Sequence, residues 1–252
     1  MTGNNSQLGG DQSQPLKLLT LVEPHECSYL PDQMANSIFI DPTTIPGWGQ
    51  YSQLSRAGFR RSGTHFYRPN CPDCNACKSS RVLAGQFTAS RRFKRILKRN
   101  ADLSAILKPA HFSDEHYELF QRYIHQRHQD GDMYPTSEQQ FRDFLCSEQD
   151  YAYFVEFRLE GRLIACSVID VLDDGISAIY TYFDPAEEKR SLGTLAVLWQ
   201  IGYAQQVGLT YVYLGYWIKN CQKMRYKDQY QPLELFIDDN WQPLTMIEPT
   251  QR

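Results

Sequence analysis

Between Gly58 and Arg99 the chain reads GFRRSGTHFYRPNCPDCNACKSSRVLAGQFTASRRFKRILKR. Cys71, Cys74 and Cys77 form CxxCxxC, and Cys27 lies upstream. Four thiolates are the number of sulfur ligands that a zinc ion or an iron–sulfur cluster takes. Thiols that assist folding or sense redox, without a metal, fit the same residues. Around them stand Arg60, Arg61, Arg68, Lys78, Arg81, Arg91, Arg92, Lys94, Arg95, Lys98 and Arg99, against a single acid, Asp73. Such a field suits the binding of phosphates or carboxylates.

The rest of the chain must present this segment. Its 252 residues suit one large domain or two small ones, with core enough to need no staples. A composition of 42% hydrophobic and 22% charged residues is that of a globular protein. No apolar run approaches 18 residues, which argues against a membrane span. MTGNNSQLGGDQSQP has no apolar signal-peptide core, so a cytoplasmic protein is expected. Seven cysteines, an odd count in a reducing compartment, point to metal binding, catalysis or burial rather than disulfides. The net charge of −3 excludes a generic polyanion binder, but the charge is segregated. Acids gather near Asp170–Asp174, Asp184–Glu188 and Asp238–Asp239, which leaves the basic segment as a local site.

Residues 1–14 read as a disordered tail, and residues 16–22 and 38–40 as short strands. Ser90 precedes a helix whose Phe93, Ile96 and Leu97 make one apolar stripe opposite a cationic face, unless Arg91 and Arg92 sit in the turn before it. Ser113 opens a second helix carrying Tyr117, Phe120 and Ile124. Ser137 with Gln140 forms a capping box for a third. From Tyr151 the period changes to that of strands: residues 151–158, 162–172 and 176–183, with turns at Glu160-Gly161 and Asp173-Asp174-Gly175. A helix over residues 195–207, ended by Gly208, leads into a further strand from Thr210. Residues 231–244 show no clear period.

Three antiparallel strands, a helix and a strand resemble the GNAT-type N-acetyltransferase fold. In that fold the loop entering the helix holds a pyrophosphate on its free amides. Here that loop is Arg190-Ser191-Leu192-Gly193-Thr194-Leu195, with Leu195 where a small residue is usual. Coenzyme A-dependent acetyl transfer is therefore a rival reading. A non-catalytic, cysteine-rich RNA-binding module is another.

YLPDQMANSIFID, GFRRSGTHFYRPNCPDC, KSSRV, SRRFKR, YTYFDP and GYWIKNCQKMRYK with YQPLE resemble the arginyl/leucyl-tRNA–protein transferase family, most closely its bacterial leucyl branch, over residues 16–236. The resemblance implies an α+β architecture: a small cysteine-bearing, basic domain over residues 15–105 and a GNAT-like domain with a mixed, mainly antiparallel sheet over residues 106–252. It implies transfer of leucine from leucyl-tRNA to the N-terminal amine of proteins beginning with Asp or Glu, which marks them for degradation. It further implies that no cofactor is required and that neither membrane nor DNA is a partner. An arginyl donor is separated from a leucyl one only by the branch. In the arginyl branch a second cysteine stands three residues after the first. Here that place is Leu30.

An aminoacyl ester is already activated, and an α-amine with a reference pKa of about 8 is partly neutral. Positioning and oxyanion stabilisation then suffice. Asp184 is the candidate to hold or accept the amine's proton, though it also reads as a turn former before Pro185. Tyr180 and Tyr182, on one face of their strand, are candidates to line the site or are plain packing. Arg68, Lys78 and Arg81 are candidates for the acceptor's carboxylate. Arg190, Ser191, Gly193 and Thr194 would receive the terminal adenosine. Arg91, Arg92, Lys94, Arg95, Lys98 and Arg99, with Lys219, Lys223 and Arg225, would meet tRNA phosphates. Cys146, Cys166 and Cys221 read as packed thiols.

Overall fold

A computed structural model describes residues 15–20, 23–131 and 133–247 of the chain. The expected tail over residues 1–14, and Leu21 and Val22 of the first expected strand, lie outside them. The first part of the chain contributes β1 (Leu18–Thr20), β2 (His25–Glu26), β3 (Met34–Ala35), β4 (Ser37–Ile40), α1 (Trp48–Arg56), β5 (Arg60–Ser62), β6 (His65–Pro69) and β7 (Lys78–Leu83). Then come α2 (Arg91–Arg99), β8 (Ser104–Pro109), α3 (Asp114–Arg127) and α4 (Glu138–Leu145). The meander is β9 (Ala152–Leu159), β10 (Arg162–Val171) and β11 (Gly175–Phe183). It is followed by α5 (Leu192–Val207), β12 (Tyr211–Trp217), β13 (Leu233–Ile237) and β14 (Asn240–Pro243).

The main sheet has eight strands in the order β14-β13-β7-β12-β11-β10-β9-β8. Only β11 and β12 run parallel, as a strand–helix–strand crossover through α5 requires; the other pairings are antiparallel. The architecture is α+β with a large, mixed, mainly antiparallel sheet. A smaller sheet, β1-β4-β6-β5, packs beside it. Lys78–Leu83, which continues directly from the cysteines, lies inside the large sheet between β12 and β13. The residues expected as two units therefore share one sheet.

Strand alternation explains the layers. One face of the sheet, with Val155, Phe157, Ala165, Ile169, Ile176 and Val212, is buried against α5 and against Phe93 and Ile96 of α2. The other, with Phe154, Cys166, Val168, Tyr182 and Tyr213, is buried against α1, α3 and α4. The turn at Glu160 and Gly161 takes φ of 49° and 86°, the left-handed pair that a two-residue hairpin needs. Ser90, Ser113 and Ser137 each accept a hydrogen bond from the backbone N–H three residues on, so all three expected helix starts are capped. Arg91 and Arg92 belong to the first turn of α2 rather than to a preceding turn. Leu97 is 41% exposed, so the stripe of α2 is narrower than its spacing suggested. No helix among the described residues is long and apolar enough to cross a membrane.

Candidate active site

The parallel pair β11 and β12 holds together for only three residue pairs, Gly175–Tyr211, Ile176–Val212 and Ser177–Tyr213. Beyond them the strands separate. Two irregularities accompany the split. One lies in β11, where Val168 faces Tyr180 and Ile169 faces Ala178, leaving Ile179 extra. The other lies in β12 between Tyr213 and Gly215, where Gly215 takes φ +84°. The separation leaves the carbonyls of Ala178 and Tyr213 without a ladder partner across the gap. Arg60, from β5, fills the place: its guanidinium donates to Ala178 O and, at 3.4 Å, to Tyr213 O. Both acceptors are neutral. Arg60 is 7% exposed and enters no ion pair among the described residues.

From this fork a cavity of about 730 Å³ opens. Arg60, Arg61, Arg92, Lys223 and Lys227 line it with His128, and no Asp or Glu does among the described residues. Arg61 is already neutralised. Its Nε and Nη2 each donate at 2.7 Å to the fully buried Asp170, which also accepts from Tyr51. Seven tyrosines complete the walls: Tyr29, Tyr67, Tyr123, Tyr180, Tyr216, Tyr226 and Tyr230. Burial raises the phenols of Tyr180 and Tyr216 and lowers His128. Burial, reinforced by the charge of Arg60, pushes Lys227 down to about 7. The cavity combines aromatic faces with cations, of which Arg60 and Lys227 have no counter-charge among the described residues. It is suited to a ligand that is anionic in one part and flat in another.

Several expected residues meet here. Tyr180, Gly193, Thr194, Arg92 and Lys223 line the cavity. Ser191, with φ 57°, turns the chain into α5 so that Gly193 and Thr194 arrive at its first turn. Others have different partners. Asp184 is 9% exposed, accepts Ala186 N–H at 3.0 Å as a helix cap, and accepts from Arg162 at 2.8 Å. It does not line the cavity, and its oxygens are engaged structurally. Tyr182 is fully buried, its hydroxyl 2.8 Å from His116 Nδ1. Arg81 pairs with Glu234 at 2.7 Å and stacks over Tyr211 and Trp241. Arg190 forms a bidentate pair with Asp102 and also holds Glu187. In each case a local partner occupies the group that was expected to meet substrate. Arg91, Lys94, Arg95, Lys98 and Arg99 form the exposed face of α2. Lys219 is exposed, and Arg225 lies 3.3 Å from Asp228.

Cys27, Cys71, Cys74 and Cys77 line a second cavity of about 370 Å³ together with Arg68 and Lys78. Tyr216 borders both cavities. Arg68 donates to Ala57 O at 3.0 Å and reaches Asp239. Burial, with the neighbouring thiols, pushes Cys77 up to about 12. No group of three or more His, Cys, Asp or Glu is placed to hold a metal ion among the described residues. The four expected sulfur ligands share one cavity without forming such a group among the described residues.

The amino-acid sequence does not single out Arg60 or Lys227 as site residues. Arg60 is legible there only as one cation in a basic run, and Lys227 as one of several beside aromatic residues.

Comparison with known proteins draws on both parts of the cleft. The family model for the arginine-tRNA-protein transferase N terminus matches residues 25–95, and that for the C terminus matches residues 115–237. The chain belongs to the arginine-tRNA–protein transferase family. Arg60 and Arg92 come from the first matched segment, and Tyr180, Gly193 and Lys227 from the second. Within the family, the aspartate/glutamate leucyltransferase of Pseudomonas aeruginosa (strain LESB58) is 53% identical over 223 residues, covering 88% of this chain and 95% of that protein. The protein of the same name from Pseudomonas fluorescens (strain Pf0-1) is 54% identical over 220 residues, covering 87% and 93%. A solved structure of L-PGS from Bacillus licheniformis resembles 60% of this chain and 48% of its own, at a TM-score of 0.44 and 11% identity.

Proposed function

We propose that the protein is an aminoacyltransferase that moves leucine from leucyl-tRNA to the N-terminal amine of proteins beginning with Asp or Glu. The observation that carries this reading, for a member of this family, is the cleft between β11 and β12. It is cationic, free of acids among the described residues, and walled by tyrosines. An acidic side chain needs a cation with donors to spare. Arg60 offers a planar guanidinium whose present acceptors are neutral carbonyls. A terminal adenosine needs flat surfaces, which the tyrosines supply. The first turn of α5, at Gly193 and Thr194, offers free backbone amides to the last phosphates. The exposed cations of α2 extend the positive field outward along a path for the acceptor stem. The order β9-β10-β11-α5-β12, the irregular strands and the split parallel pair support a GNAT-type core for this reaction.

The chemistry needs little more. The ester is activated, and attack by the neutral amine passes through a tetrahedral oxyanion that the cationic cleft stabilises. An N-terminal leucine on the product acts as a degradation signal, and the reaction belongs in the cytoplasm with its tRNA donor. No step uses the cysteines. The test is transfer of labelled leucine, without ATP, from leucyl-tRNA to peptides beginning with Asp, Glu, Lys or Ala. Label on the Asp and Glu peptides alone supports the reading. Transfer from arginyl-tRNA instead, or of acetyl from acetyl-coenzyme A, overturns it.

A further inference from the structure

Lys227 is 3% exposed and is one of the residues that line the cleft. Its Nζ lies 3.4 Å from the carbonyl oxygen of Met224 and 3.7 Å from the sulfur of that residue, with the Tyr226 ring 4.7 Å away. It enters no ion pair among the described residues. The neighbouring acid, Asp228, is engaged with Arg225 at 3.3 Å. Around the cleft the ionisable groups are Arg60 and Arg61 from β5, Arg92 from α2, His128 after α3, Lys223 from the turn before Lys227, and the tyrosines. Cys221 also acts on it from the start of that turn. None of these is an anion at neutral pH in its ordinary form. A buried ammonium so placed lacks a counter-charge, and Arg60 repels it. Burial and like charge both favour the neutral amine. Structural lysines are normally paired or exposed; this one is neither, and it lines the site.

Resting on the reading of the cleft as the transfer site, we propose that Lys227, as a neutral amine, is the catalytic proton acceptor of the transfer. The acceptor arrives as an α-ammonium. It loses one proton to water to become the nucleophile and attacks the ester carbonyl, forming the C–N bond. The adduct nitrogen then carries a proton that must leave before the amide is complete. Lys227 takes that proton and returns it to the ribose oxygen as the ester C–O bond breaks. The sum is an amide, a free ribose hydroxyl and one proton in solution, with Lys227 restored. A pKa near that of the medium suits both halves of the exchange, and burial with Arg60 brings Lys227 down to about 7. Arg60 thereby acts on Lys227 as a positioning residue, besides facing the substrate.

The experiment measures kcat and KM for leucine transfer to an Asp-peptide from pH 5.5 to about 9, together with leucyl-tRNA binding, for the parent and for Lys227→Met, Lys227→Arg and Lys227→Ala. Transfer by the parent protein is the control. Its failure would break the reading of the cleft and leave the lysine variants without a bearing on it. With the parent active, Lys227→Met lowers kcat roughly 10²- to 10⁴-fold while KM and tRNA affinity change little. Lys227→Arg is equally impaired, because a guanidinium does not give up its proton at these pH values. Parent kcat rises with pH through about 7 and that inflection is lost in the variants. Ethylamine restores part of the Lys227→Ala rate, and weaker amines restore less. Retention of parental kcat by Lys227→Arg overturns the proposal, since a fixed cation would then suffice. So does the absence of amine rescue in a Lys227→Ala protein that is folded and binds leucyl-tRNA.

Discussion

Replacing Asp170 by Asn tests how the fork of the cleft is held. Asp170 is fully buried and takes both arms of Arg61 at 2.7 Å, and Tyr51 adds a third hydrogen bond at 2.7 Å. Asparagine keeps the shape but removes the charge, which leaves the 2%-exposed Arg61 side chain as an unpaired buried cation. Removing one partner of a buried pair costs about 3–5 kcal/mol. For a protein of this size each kcal/mol lowers Tm by roughly 2–4 °C, so the melting point should fall by about 6–20 °C. Calorimetry and urea titration would measure it. Because Arg61 follows Arg60 directly in β5, transfer activity at 25 °C should fall as well. Arg61→Met with Asp170→Leu removes both charges and should recover much of the loss, since an apolar pair is often as stable as a buried ion pair. A single variant melting within about 2 °C of the parent, well under the loss expected of a broken buried pair, would refute the reasoning.

Three further outcomes follow from the geometry. Asp184→Asn should keep the cap, since asparagine caps a helix as well as aspartate, and should cost about 1 kcal/mol or less of stability through the lost charge pair with the half-exposed Arg162, while turnover stays near parental; a large loss of turnover in a stable protein would return Asp184 to the chemistry. Arg95→Glu with Lys98→Glu should weaken leucyl-tRNA binding and reduce the slope of log affinity against log salt by about one for each phosphate no longer neutralised, and an unchanged slope would make α2 a merely solvated face. Burial opposes ionisation of Glu156, but hydrogen bonds from Arg158, Lys108 and His116 outweigh it and bring its pKa down to about 2. Its contribution to stability is therefore complete above its unfolded value of about 4.3 and fades as the pH falls toward 2, so Glu156→Gln should flatten the acid limb of a urea-midpoint profile.

Local signals make much of the fold legible. The capping serines, the meander with its Glu160-Gly161 turn, and Gly208 closing α5 at φ 77° all rest on neighbours in sequence. The hairpin of β13 and β14 is not legible, because its turn is Asp238-Asp239, both at positive φ, rather than the usual Asn-Gly or Asp-Gly. The place of β7 depends on ladder partners some 130 residues or more away in β12 and β13, which no local period encodes. The candidate site divides the same way. Gly193 and Thr194 are legible because a loop before a helix has a local signature. Arg60 is not, because its role exists only where β11 and β12 part, 118 and 153 residues further along the chain. Asp184 misleads because an Asp before Pro is a helix cap and a candidate base in the same letters.

The most direct measurement compares kcat/KM for leucine transfer to two peptides that differ only in beginning with Asp or with Asn. If Arg60, whose present acceptors are neutral, receives the acceptor's carboxylate, the charged hydrogen bonds are worth about 1.5–3 kcal/mol, and Asp should be preferred by roughly 10- to 150-fold. Equal efficiency for Asp and Asn would contradict the assignment of the cleft to acidic N-termini.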